Sequence, residues 1–158
     1  MKKITVNNGA ADAITNIAKV EERYKAKFVG QLALKTAGGG WTSDDCGDVY
    51  WQPNPPVEGY SNYFAIINRG GSAYITNGAS AVEGIITGIV ADNSEIIYSR
   101  FRHDMRYSTD KSVFIDGGRD YVKCNLGGRT VQLMIVDGEW YEAEDEDLTA
   151  LTLKGEIK

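Results

Sequence analysis

The sequence predicts an α+β chain that is predominantly antiparallel β, closed as a barrel-like sheet or folded as a sandwich, with one N-terminal helix. Three observations carry this. Only residues 10–24 show a helical repeat of apolar positions. From residue 28 onward, short apolar runs alternate with turns that hold glycine or asparagine. The chain has 158 residues with 18 glycines and only 3 prolines, the mark of many tight turns and not of low complexity. The length fits a single domain over 1–158, large enough to bury an apolar core without disulfide or metal staples.

In the helix, Ala11, Ile14, Ile17, Ala18 and Tyr24 recur at three- and four-residue spacing and make the core-facing stripe. Asn7 or Asn8 caps its start, and Lys19, Glu21, Glu22 and Arg23 face water. Residues 28–35 form a strand that Gly38-Gly39-Gly40 ends. Residues 42–48 read as loop, and 49–51 as a short aromatic strand. Pro53, Pro55 and Pro56 stop it, because proline cannot donate to a ladder. Four hairpins follow: 63–68 with 72–77 around Arg69-Gly70-Gly71, 84–91 with 95–102 around Asp92-Asn93, 120–125 with 130–136 around Gly127-Gly128, and 131–136 with 139–142 around Asp137-Gly138. Residues 142–147 are an acidic, solvated segment, after which Leu148, Leu151 and Leu153 return the tail to the core.

Composition excludes more than it selects. No run approaches the twenty or so apolar residues of a membrane span, and Met1-Lys2-Lys3 leads into no apolar signal segment. The net charge is −5, which disfavours nonspecific nucleic-acid binding. The charge is banded, net +3 over 100–129 and net −6 over 130–158. Such bands can steer a charged ligand or can scatter once the chain folds. Cys46 and Cys124 have no zinc-like spacing and read as free, small apolar side chains.

The chemistry is concentrated in one stretch. Arg100, Arg102, His103, Asp104 and Arg106 are followed by Asp116, Gly117, Gly118, Arg119, Asp120 and Tyr121, and His103 is the only histidine. In a strand, Arg100, Arg102 and Asp104 share one face. Two readings stand side by side. Arginine forks match phosphate or carboxylate and make an anion site. Alternatively, Arg102 or Arg106 pairs with Asp116 or Asp120 across two strands as structural ion pairs. A triad would have to run through His103 with Ser99, Ser108 or Cys124 as nucleophile, and no nucleophile elbow supports it. A second candidate surface is the aromatic stretch around the prolines, where Trp51, Tyr60 and Tyr63 could anchor a protein partner or stack a base. Asp44, Asp45 and Asp48 beside it read as a solvated loop. There is no phosphate-binding loop, dinucleotide fingerprint or calcium loop.

The run Ser99-Arg100-x-Arg102-His103-Asp104, followed by Ile115-Asp116-Gly117-Gly118-x-Asp120-Tyr121 and Lys123, resembles a motif of small accessory proteins of tailed bacteriophages. Gly59-Tyr60-Ser61-Asn62-Tyr63-Phe64 and Ile75-Thr76-Asn77-Gly78 are also similar, so the resemblance covers roughly residues 50–123. It implies a phage protein acting in the host bacterial cytoplasm and no particular reaction. Some relatives carry cysteine pairs that suggest a zinc ribbon. This chain lacks them, so the resemblance carries over no metal, and no cofactor is expected. The expected function is binding of a host component during infection, without catalysis. The alternatives are a sponge for a small anionic, nucleotide-like signal at the Arg/His cluster, and a small metal-dependent hydrolase or nuclease centred on His103, Asp104 and Asp116. The short edge strands would also allow a homo-oligomer.

Overall fold

The computed structural model describes residues 1–7, 17–35, 41–69 and 71–153, with backbone alone for 41–45, 69 and 151–153. In chain order the elements are β1 (Lys2–Lys3), α1 (Ile17–Tyr24), β2 (Lys27–Lys35), β3 (Trp41–Trp51), β4 (Tyr63–Arg69), β5 (Ser72–Asn77), α2 (Ala79–Val82), β6 (Ile86–Val90), β7 (Ile96–Tyr98), β8 (Arg106–Tyr107), β9 (Phe114–Asp116), β10 (Lys123–Cys124), β11 (Thr130–Val136), β12 (Glu139–Glu142) and α3 (Asp145–Leu153). They make three antiparallel sheets: β2-β3-β4-β5, β1-β12-β11-β6-β7 and β10-β9-β8. None closes on itself, so of the two expected architectures the sandwich-like one is found.

The β11–β12 hairpin shows how local chemistry sets register. Val136 lies opposite Glu139, which leaves Asp137 and Gly138 as a two-residue turn. Their φ angles are +48° and +78°, the left-handed pair that fits the twist of the strands it joins.

Strand alternation then sends side chains into two cores. Val29, Leu32, Val49, Ala65 and Ile67 of the four-stranded sheet meet Ile86, Tyr98, Val131, Leu133 and Trp140 of the five-stranded sheet. Trp140 ties the layers, donating its indole N–H to the Val29 carbonyl at 3.0 Å and lying against the Tyr98 ring at 4.8 Å. Ile89 and Ile97 point the other way and pack with Val113 and with Ile115 of the three-stranded sheet, which Val113 immediately precedes. The outer face of the four-stranded sheet carries Phe28, Tyr50 and Phe64, which neighbour one another across the strands. α1 covers part of that face through Tyr24, whose ring lies 5.1 Å from Phe64.

Several expectations change. Residues 42–48, read as loop, fall within β3, where Cys46, Gly47 and Asp48 pair with Ala33, Leu32 and Gln31 of β2 and the register shifts between Ala33 and Lys35. The expected 120–125/130–136 hairpin does not form: β10 pairs with β9, and β11 pairs with β6 and β12. The helix is described only from Ile17, so Asn8, Ala11 and Ile14 lie outside the described residues. The Asn7 side-chain amide donates to Glu95 at 2.9 Å, and the helix start it was expected to cap lies outside the described residues. In α1 itself Ala18 is exposed, and Glu21 turns inward to accept the Phe28 N–H at 3.1 Å. The acidic run is only partly free: Ala143 is buried, and Asp147 caps α3 by accepting the Glu144 N–H at 2.9 Å. Leu148 is half-buried, whereas the side chains of Leu151 and Leu153 lie outside the described residues.

Candidate functional site

The motif region is not a strand. β7 stops at Tyr98, and residues 99–105 fold into a tight loop in which the Asp104 N–H reaches the Phe101 carbonyl at 3.0 Å. His103 sits in it at φ +68°, so Arg100, Arg102 and Asp104 do not line one strand face. The loop instead winds around the Asp104 carboxylate, which is 8% exposed. Arg100 grips that carboxylate with Nε at 3.0 Å and Nη2 at 3.1 Å, and also donates its backbone N–H at 2.9 Å. Arg106 approaches from the other side with Nε at 3.1 Å. Both guanidiniums are themselves mostly buried. The ion-pair reading therefore holds for Arg106 with a different partner. Arg106 lies opposite Ile115 in the ladder, so it meets Asp104 and not Asp116 or Asp120.

The second half of the motif locks onto the first. The Ser99 hydroxyl donates to the Asp104 carbonyl at 2.6 Å and accepts the Gly118 N–H at 2.9 Å. A Cβ on Gly118 would fall 2.6 Å from the Phe101 carbonyl carbon, so this contact needs glycine. Arg119 points into the protein and donates to the carbonyls of Ser80 (3.4 Å) and Ala81 (3.0 Å), capping α2. Burial lowers its pKa to about 10, which leaves it a cation at neutral pH. Asp120 and Arg102 are exposed.

A short chain of polar groups runs outward from β9. Buried Asp116 accepts the Tyr121 hydroxyl at 3.2 Å, and that hydroxyl contacts His103 Nδ1 at 2.8 Å. His103 is exposed. The serines that might have served as nucleophiles are committed elsewhere. Ser99 is held as above, and buried Ser108 donates to Asp110 at 2.6 Å while accepting the Val113 N–H at 3.3 Å. Cys124 packs against the second core. Among the described residues no three histidine, cysteine or acidic side chains gather as a metal would require.

The aromatic candidates are largely packing elements. Trp51 and Tyr63 lie half-buried against the main core, and the Tyr63 hydroxyl accepts the Gly138 N–H at 3.1 Å. Tyr60 is half-buried near the Ile75 carbonyl.

The concave feature lies elsewhere, between α1 and the outer face of the four-stranded sheet. It is a cavity of about 400 Å³, in the range of small-molecule sites. Its floor comes from Asp48 and Tyr50, two residues apart on one face of β3, with Ile66 and Ile75 beside them. Its α1 side presents Lys19, Val20, Arg23 and Tyr24. Asp48 was read as a loop residue yet is only 4% exposed. Burial pushes its carboxyl up to about 6, although the Gln31 amide and the nearby Arg100 pull the other way. Fully buried Tyr50 has a hydroxyl without a hydrogen-bond partner among the described residues. Lys19 and Arg23 are exposed, one turn apart on the helix, and Arg23 lies over the Tyr24 ring at 5.2 Å.

No family model, curated protein or solved structure matches this chain. The candidate sites therefore rest on geometry. That geometry gathers Arg100, Asp104, Arg106, Gly118 and Arg119 into a self-satisfied scaffold. It strings His103, Tyr121 and Asp116 together and leaves Arg102 and Asp120 at the surface. The groove residues had one legible signal: Asp48 and Tyr50 flank apolar Val49, the alternation of a half-buried strand.

Proposed function

We propose that this protein acts by binding and not by catalysis, and that the groove beneath α1 is where it takes a small ligand. The observation that carries this is the cavity of about 400 Å³ itself, lined by Tyr24, Ile66 and Ile75 with the exposed cations Lys19 and Arg23 on its α1 side. The motif loop argues in the same direction: Asp104 already occupies Arg100 and Arg106, so the expected anion site at that cluster has little left to offer. On the resemblance of residues 50–123 to phage accessory proteins, the ligand would be a host component met in the cytoplasm of an infected bacterium.

The test is a thermal-shift panel of nucleotides, cyclic nucleotides, amino acids and divalent metals on the wild type and on the double variant Lys19→Ala/Arg23→Ala. A ligand at 100 times its Kd raises stability by about 2.7 kcal/mol. We expect at least one member to shift the wild type by several degrees and the double variant by much less. Without ligand, the double variant, changed only at exposed positions, should melt close to the wild type. A panel that shifts neither protein, or both equally, overturns the reading.

A further inference from the structure

We propose that the α1 groove takes a small apolar molecule carrying one anionic group, with the apolar body on Tyr24, Ile66 and Ile75 and the anion on Lys19 and Arg23. This rests on the reading of the groove as a small-ligand site and adds the ligand's chemistry.

The charge within a ligand's reach is of one sign. Lys19 and Arg23 both line the groove and are exposed. The one acid among the lining residues, Asp48, is only 4% exposed and is engaged by the Gln31 amide, so it does not meet a ligand at the mouth. Lys19 and Arg23 stand four residues apart on α1. Like charges at that spacing repel. An anion held between them removes the repulsion, and an ammonium beside a guanidinium suits the oxygens of a carboxylate or a phosphate. Arg23 also lies over the Tyr24 ring at 5.2 Å, which sets its charge directly against the apolar wall.

Behind the cations the groove offers a ligand few hydrogen bonds. Tyr50 and Asp48 are withdrawn from water, and Asn68 supplies the one exposed amide on the sheet side. A body rich in polar groups would be desolvated there without new partners and would lose affinity. Tyr24 from the helix and Ile66 and Ile75 from the sheet instead give half-buried apolar and aromatic surface, which an apolar body covers. Tyr74 lines the same space from β5, the outermost strand of its sheet, and is 53% exposed. A simple anion would leave these walls wet, and a neutral apolar molecule would leave the paired cations unanswered. A ligand with both parts satisfies both.

The experiment is isothermal titration of the intact protein with phenylacetate, its neutral analogue phenylacetamide, acetate and hexanoate. We expect phenylacetate to bind roughly tenfold or more tightly than the amide, and acetate to show no measurable binding. In the double variant Lys19→Ala/Arg23→Ala the preference for acid over amide should disappear while amide binding is unchanged. Ala73→Trp, a bulky change at an exposed position lining the groove, should abolish binding of both. Hexanoate as the tighter acid, with the same response to the double variant, supports the inference with an aliphatic body in place of a flat ring. A preference for acid that survives the double variant, or acetate binding as tightly as phenylacetate, overturns the inference. Equal affinity for acid and amide, with both weakened in the double variant, overturns it while leaving the small-ligand reading standing. So does a nucleotide from the wider panel that binds while these probes are silent. Binding untouched by Ala73→Trp, or silence from every compound here and throughout the wider panel, overturns both.

Discussion

Asp104 is the residue on which the motif loop turns. It neutralises two guanidiniums that are 11% and 14% exposed, so truncating it removes the carboxylate that both share. Removing one partner of a buried ionic cluster costs about 3–5 kcal/mol. Asp104→Ala should therefore lower the unfolding free energy measured in urea by that scale, whereas Arg102→Ala, at an exposed site, should stay within about 0.5 kcal/mol of the wild type. Asp48 gives a different signature. Its folded pKa of about 6 lies above the free value of 3.8, so between those two values the folded state binds more protons than the unfolded one. Its contribution to stability is greatest at low pH and is lost as pH rises through about 6. Asp48→Asn removes that loss. The variant should melt above the wild type at pH 7.5 by up to roughly 3 kcal/mol of stability, with the gap closing near pH 4. A gap that is constant with pH would refute the assignment. The sequence showed that arginines and aspartates crowd together here; it could not show which pair. Pairing was set by a turn at 101–104 that no strand pattern encodes.

At the scale of elements, glycines separate turns that need their conformation from turns that also need their missing side chain. Gly127 has φ +76° with open space around it, while Gly118 has φ +56° and lies against the Phe101 backbone. Gly127→Ala should cost about 1 kcal/mol from conformation alone. Gly118→Ala should cost several times more, because two loops must part. Thermal melts of the two variants side by side decide it. The hairpins at 63–77 and 131–142 were readable because short glycine turns fix their register locally. The extent of β3 and the pairing of β10 with β9 were not, since both depend on neighbours distant in sequence. Asp48 looks like a loop residue until its partner Gln31 in β2 is known, and tertiary pairing overrides such weak propensities.

At the scale of the molecule, the chain's beginning and end are interleaved. β1 forms the edge of the five-stranded sheet by pairing Lys2 with Glu142 and Lys3 with Tyr141, and the Ile4 N–H reaches the Trp140 carbonyl at 3.1 Å. Deleting residues 1–6 should lower the melting temperature by several degrees and increase hydrogen exchange at Tyr141 and Glu142 before it affects Ile89. Unchanged exchange there would show that the strand adds nothing. The two cores were foreseeable as alternating apolar runs, but a linear pattern does not say which sheet each face meets. Gln31 ties the groove to the motif loop. Its carbonyl oxygen accepts from Arg100, and its amide N–H₂ donates to Asp48. A reversed amide would set nitrogen against guanidinium and oxygen against carboxylate, so its orientation is dictated from both ends. The consequence is thermodynamic coupling between the two regions. In a double-mutant cycle, Asp48→Asn and Arg100→Ala should fail to add by about 0.5 kcal/mol or more, and Gln31→Leu should reduce that coupling to what the direct charge interaction of Arg100 with Asp48 supplies.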